Sequence, residues 1–208
     1  MDNRASLMLV HGAGSGPWVF ARWGAALPGI EVATIDLHDD LDVACSSMQD
    51  YAGSLIEACI GLRPPLFVCG WSMGGLVALM ACPSLELAGL ILLEPSPPAE
   101  VQGFDESKEL RQGAFDPEEA YGPFPPGIAS RWESQLARDE RKRGISVPSI
   151  HCPSLVVWGD EFATDRGEPV AELYSAESRS IPGADHWGLV LNAGARDAVR
   201  QWIEYSLD

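Results

Sequence analysis

The sequence predicts a three-layer α/β fold: a mostly parallel, six-stranded sheet, helices on both faces, and a small lid inserted after the fourth strand. Short apolar runs alternate with longer stretches of helical periodicity, the pattern of successive βαβ units. The runs are continuously hydrophobic rather than alternating, as expected of strands covered on both faces. A chain of 208 residues, 46% hydrophobic and 21% charged, is long enough to close one core, so a single domain over residues 1–208 is expected.

The first strand, Leu7–Val10, runs into the glycine-rich "HGAGSGPW", and the second, Glu31–Ile35, into the acidic "DLHDD". A helix follows over Ser47–Cys59, with Met48, Tyr51, Leu55 and Ile56 on one face. The third strand, Leu66–Cys69, leads to Gly74–Ala81, a helix apolar all round and therefore buried. The fourth, Leu90–Leu93, ends in "EPSPP". Residues 95–147 then predict no strand and are rich in Pro, Gly and charge. Their aromatics, Phe104, Phe115, Tyr121, Phe124 and Trp132, are too many for a solvated linker, so this stretch reads as the lid. Its helix is placed at Ser130–Arg143, with Trp132 and Leu136 packing it down. The strands Leu155–Trp158 and Ser178–Ile181 and the amphipathic helices Arg166–Tyr174 and Ala193–Tyr205 complete the chain.

The net charge of −16 argues against a nucleic-acid or anionic-membrane partner, and no apolar run approaches a membrane span. The five cysteines, Cys45, Cys59, Cys69, Cys82 and Cys152, are scattered, without metal-ligand spacing. The start of the chain passes straight into "LMLV", too short for a signal core. These features predict a reduced, cytoplasmic protein with buried free thiols and no metal or cofactor.

Three motifs carry the chemistry. Gly70-Trp71-Ser72-Met73-Gly74 lies between a strand and a helix, where a sharp turn projects the serine oxygen from the sheet edge as a nucleophile. The amide of Met73 at the helix start then faces the same point. After the first strand, His11-Gly12 turns the chain so that the Ala13 amide can point at a developing oxyanion. The glycines there do not make dinucleotide spacing, and no phosphate-loop lysine follows. Of four histidines, His186 in "IPGADHWGLVL" is the one placed as a general base. His11 belongs to the first loop, His38 to the acidic stretch, and His151 precedes a strand, at the opposite sheet edge.

Together these motifs resemble the α/β-hydrolase superfamily, with its HG loop, serine elbow and late histidine, over nearly the whole chain. The resemblance implies a serine hydrolase acting on a small-molecule ester, thioester or lactone through a Ser–His–acid triad. The chain departs from the pattern twice. The usual first two strands are missing, which makes a minimal six-stranded version. The acid expected three residues after Gly159 is Phe162 instead. Glu94, at the end of the fourth strand as in certain haloalkane dehalogenases, and Asp160 both remain candidates, with Glu94 preferred. Gly12, Trp71 and Trp187 are expected to wall the acyl pocket. A non-catalytic ligand-binding protein, or a lyase or perhydrolase on the same fold, is the alternative. The lid cations Arg131, Arg138, Arg141, Lys142 and Arg143 are expected to complement the helix dipole and face water, with attraction of an anionic substrate as the other reading.

Overall fold

The structure, a computed structural model, describes residues 4–208; the first three residues, where the expected domain begins, lie outside the described residues. Its strands are β1 (Ala5–Val10), β2 (Ile30–Ile35), β3 (Leu66–Trp71), β4 (Gly89–Leu93), β5 (Ala114–Phe115), β6 (Glu133–Ser134), β7 (Ser154–Trp158) and β8 (Glu177–Ser180). Six of them form the sheet, in the order β2-β1-β3-β4-β7-β8, and every neighbouring pair is parallel.

The main helices are α1 (Met48–Cys59), α2 (Met73–Ala81), α3 (Gln135–Arg143), α4 (Glu168–Tyr174) and α5 (Ala193–Leu207). A capping box fixes the start of α1. The Ser47 side chain accepts from the Asp50 amide, and the Asp50 carboxylate accepts from the Ser47 amide.

Successive residues of the inner strands feed two separate cores, one on each face of the sheet. Leu7 and Leu9 join Phe67, Trp23 and Trp202, whereas Met8 and Val10 join Val68, Tyr51 and Leu76. Each fully buried Leu or Phe contributes about 1.5–3 kcal/mol, so these two layers dominate folding. Continuous burial holds only for the inner strands. All four residues of β8, Glu-Ser-Arg-Ser, are polar and exposed, as suits an edge strand that pairs only with β7.

Order along the sheet also places the site. The chain steps outward from β1 to β2, then returns across β1 to build β3, β4, β7 and β8. The turns leaving β1 and β3 therefore diverge side by side at the carboxyl edge, the position where such sheets open a crevice.

The lid differs from expectation in three respects. Strands β5 and β6 pair antiparallel, Ala114 with Ser134 and Phe115 with Glu133, where no strand was expected. Two-residue strands leave no periodicity to read in a sequence. Helix α3 starts at Gln135 rather than Ser130, because Ser134 adopts extended backbone and its Oγ accepts from the Ala137 amide. Trp132 therefore sits on extended chain, 62% exposed, and does not pack the lid down; Ala137 is the buried contact.

Among the described residues no helix is long and apolar enough to cross a membrane. The thiols are not uniformly buried: Cys45 is exposed and Cys152 half-buried.

Candidate active site

Ser72 occupies the single-residue corner between β3 and α2, with φ 56° and ψ −120°, a conformation costly for any residue with a Cβ. Three backbone hydrogen bonds hold it there. Its amide donates to Leu93 O (3.0 Å), and its carbonyl accepts from the amides of Gly75 (3.0 Å) and Ser96 (2.8 Å). The flanking glycines answer to close backbone contacts. A Cβ on Gly70 would lie 2.3 Å from Gly74 O, and one on Gly74 would lie 2.3 Å from Val10 O. Thus α2 presses against both its own strand and the end of β1, which brings the two turns together.

The loop after β1 is shaped by His11, which is fully buried. Its Nε2 accepts from the Leu37 amide (3.0 Å), so the ring proton sits on Nδ1 and is donated to Gly12 O (2.9 Å). Ala13 lines the cavity above Ser72, and the Met73 amide opens α2 beside it. Gly12 serves a different purpose from the expected pocket wall. A Cβ there would lie 2.8 Å from the Trp71 ring, so its glycine lets that indole close against the loop.

His186 lies in the turn between β8 and α5, its ring against Trp71 (centroids 5.0 Å) and edge-on to Phe162 (5.3 Å). The Trp71 Nε1–H donates to His186 O (3.1 Å), and the His186 amide donates to Glu161 Oε2 (3.0 Å). His186 Nδ1 donates to Glu94 Oε2 at 2.6 Å. Glu94 is fully buried at the end of β4, with φ 38°, and its other oxygen accepts from the Gly159 amide (2.7 Å). Both carboxylate oxygens are therefore engaged, and the imidazole is fixed with Nε2 left for the cavity.

Asp160, the other acid candidate, is exposed, and its Oδ2 accepts from the Gly183 amide (2.8 Å) across a turn. Phe162, at the family's usual acid position, is apolar packing for the imidazole. Arg166 in turn stacks on Phe162, 4.0 Å from its centroid.

Ser72, His186, Ala13, Trp71 and Trp187 line one cavity of about 330 Å³. Its roof is the lid residue Phe124, whose ring meets Trp187 at 4.7 Å. Among the described residues no group of three or more His, Cys, Asp or Glu is placed to hold a metal ion.

Sequence reading missed the groups that dock the lid. Glu133 is fully buried. Its Oε1 accepts from Tyr51 OH (2.6 Å) and the Ser134 amide (2.8 Å) and lies 3.2 Å from His38 Nε2, while its Oε2 accepts from the Gly14 amide (2.9 Å). Burial would raise its pKa, but the His38 and Tyr51 contacts and the Gly14 amide hold it down at about 2. Burial first, and then the Glu133 charge, push the Tyr51 hydroxyl up, so it stays a donor. Arg131 donates from Nε to Ser15 O (2.8 Å) and forks onto both oxygens of Asp36. Burial would raise the Asp36 pKa, yet the Arg131 guanidinium and the His38 amide hold it well below the carboxylate range. Nothing in local sequence links position 133 to position 14; only the folded lid does.

The Alpha/beta hydrolase family model matches residues 7–202. The chain belongs to the alpha/beta hydrolase family. Within the curated proteins it is similar to a pimeloyl-(acyl-carrier protein) methyl ester esterase of Aromatoleum aromaticum, 32% identical over 133 residues, 62% of this chain and 46% of that protein. The chain thus spans about half the length of the relative it matches.

Solved structures of the same fold include polyneuridine aldehyde esterase (TM-score 0.65, 16% identity, 98% of this chain and 99% of that one). A methylesterase from Arabidopsis superposes at TM-score 0.70 and 16% identity, over 97% of this chain and 99% of that one. The RedJ thioesterase from Streptomyces coelicolor does so at 0.68 and 16%, over 98% and 90%. At these identities the likeness is one of fold, in keeping with the six-stranded parallel sheet.

Proposed function

We propose that this family member is a serine hydrolase that cleaves a small-molecule ester, thioester or lactone through an acyl-enzyme on Ser72. The observation that carries the reading is the 2.6 Å contact of His186 Nδ1 with the buried Glu94, in the same cavity wall as the strained Ser72. The relative named as a methyl ester esterase points to the same bond type.

In this mechanism Nε2 of His186 removes the Ser72 proton as Oγ attacks the carbonyl carbon. Glu94, hydrogen-bonded to Nδ1–H, stabilises the imidazolium that forms. The amides of Ala13 and Met73 receive the oxyanion, and the α2 N-terminus adds its dipole. His186 then protonates the leaving oxygen or sulfur. Water, deprotonated by the same nitrogen, attacks the acyl-enzyme and frees Ser72. Strain at Ser72 is held by the fold before substrate arrives, so little reorganisation is needed at the moment of attack.

The test is labelling by a fluorophosphonate together with turnover of an ester and thioester panel. Wild type should be labelled once, at Ser72, and Ser72→Ala should lose labelling and on the order of 10³-fold or more in kcat. Undiminished labelling of Ser72→Ala would sink the assignment.

A further inference from the structure

Most cations of this strongly acidic chain face solvent or a carboxylate. Lys108 and Arg111 share Asp139, and Arg131 holds Asp36. Three others, Arg141, Lys142 and Arg166, line the Ser72 cavity, and none has a carboxylate within ion-pair distance among the described residues. The expectation that the lid-helix cations face water holds for Lys142, which is exposed, and fails for Arg141. Arg141 is only 8% exposed. Its terminal nitrogens reach hydroxyls alone, Ser96 Oγ (3.4 Å) and Tyr121 OH (3.3 Å), and its buried Nε has no hydrogen-bond partner among the described residues. Ser96 is also the residue whose amide bonds the Ser72 carbonyl, so the guanidinium stands one residue from the nucleophile.

Lys142 and Arg166 also line a second groove of about 640 Å³ that shares Phe162 and Pro97 with the first, so they stand between the two spaces. The acids nearest the cavity lie beyond ion-pair distance of these cations, although Glu94, Glu161 and Asp165 attract Arg166 from there. Glu94 takes His186 and the Gly159 amide, and Glu161 takes the His186 amide. Burial, then Arg141 and Arg166, lower the Lys142 pKa, so the cations repel one another across the cavity. Burying an unpaired guanidinium is costly, and a carboxylate or phosphate meeting its planar fork gains the strongest kind of hydrogen bond.

We propose that the cavity takes an ester carrying a second, anionic group, a carboxylate or a phosphate, held by Arg141, Lys142 and Arg166 while the ester carbonyl meets Ser72. This rests on the ester-cleaving reading above. The cations act as binding and specificity residues and take no part in bond making.

The experiment compares kcat/KM for monomethyl adipate, a phosphate-tailed methyl ester of matching length, and an uncharged methyl ester of matching length. Wild type should favour at least one anionic ester by about tenfold or more, through KM, and the preference should shrink as salt rises. The two anionic arms say which headgroup fits. Lys142→Met and Arg141→Met should each collapse the anionic-to-neutral ratio toward unity. Should the buried Arg141 variant fail to fold, Lys142→Met and the wild-type salt dependence still decide. Equal turnover of charged and neutral esters, or a ratio unmoved by Lys142→Met, overturns the anion subsite and leaves the hydrolase reading standing. No turnover of any ester and no fluorophosphonate labelling takes both down.

Discussion

Ser72, Glu94 and His186 stand on turns at the carboxyl ends of β3, β4 and β8, whereas the lid across them, residues 95–147, is tied down through charge. The first region depends on backbone fit. Ser72 and Glu94 both take positive φ, and Gly70, Gly74 and Gly75 exist so that α2 can touch its own strand, β1 and Pro95. The second depends on buried or half-buried carboxylates: Glu133 and Asp36 join the lid to elements far away in sequence, and Asp139 ties the lid to itself through Lys108 and Arg111. Rigid placement of the proposed reacting groups thus comes from the sheet. Placement of the cover comes from pairs that respond to pH and to loss of a single oxygen.

Gly74→Ala should do the greatest damage, because the new Cβ would lie 2.3 Å and 2.4 Å from the backbone oxygens of Val10 and His11. Neither oxygen can move without opening β1, so a loss above about 4 kcal/mol is expected, seen as failure to fold or a collapsed thermal transition. Glu133→Gln should cost less, about 1–3 kcal/mol by denaturant melts. Its amide nitrogen must face either the Gly14 amide or the donors at Oε1, and no orientation satisfies both. A Glu133→Gln protein as stable as wild type would remove charge as the force that docks the lid.

Acid should act on the same contact. The carboxyl of Glu133 is depressed from 4.5 to about 2 in the folded chain, so its stabilisation is complete above the unfolded value and fades as pH falls from about 4.5 towards 2. Limited proteolysis at 95–147 should accelerate over that window before the sheet core is cut. Trp132→Ser should have the smallest effect, within about 0.5 kcal/mol, since 62% of that residue faces solvent. A larger loss would show that the exposed indole has a partner.

The same division explains what could be read from residues alone. Inner strands and the buried α2 are legible because continuous apolar runs have one physical meaning. The serine elbow is legible because the tight strand-to-helix turn sets Gly70 against Gly74 within five residues, though the contacts of Gly74 and Gly75 with the β1 end and Pro95 appear only in the fold. The first loop is legible in part: the fold does press Gly12 against Trp71, though as a packing glycine and not as a pocket wall. Glu94 could be named and not separated from Asp160, since both end or follow a strand and only register decides which oxygen meets an imidazole 92 residues away. The roles of Glu133 and Arg131 were out of reach, and for Arg141 an anionic substrate stood only as the second reading. A glutamate in "RWESQ" has no local mark of full burial, and a helix-end arginine ordinarily faces water.

The proposed mechanism requires Glu94 to serve His186, and the most direct measurement is kcat of Glu94→Gln beside Asp160→Asn on one ester. Glu94→Gln keeps the shape and removes the charge that stabilises the imidazolium, so a loss on the order of 10³–10⁴-fold is expected. Asp160→Asn should stay within about threefold of wild type, because that carboxylate only accepts from the Gly183 amide. The reverse order, with Asp160→Asn crippled and Glu94→Gln near wild type, would contradict a Glu94–His186 pair.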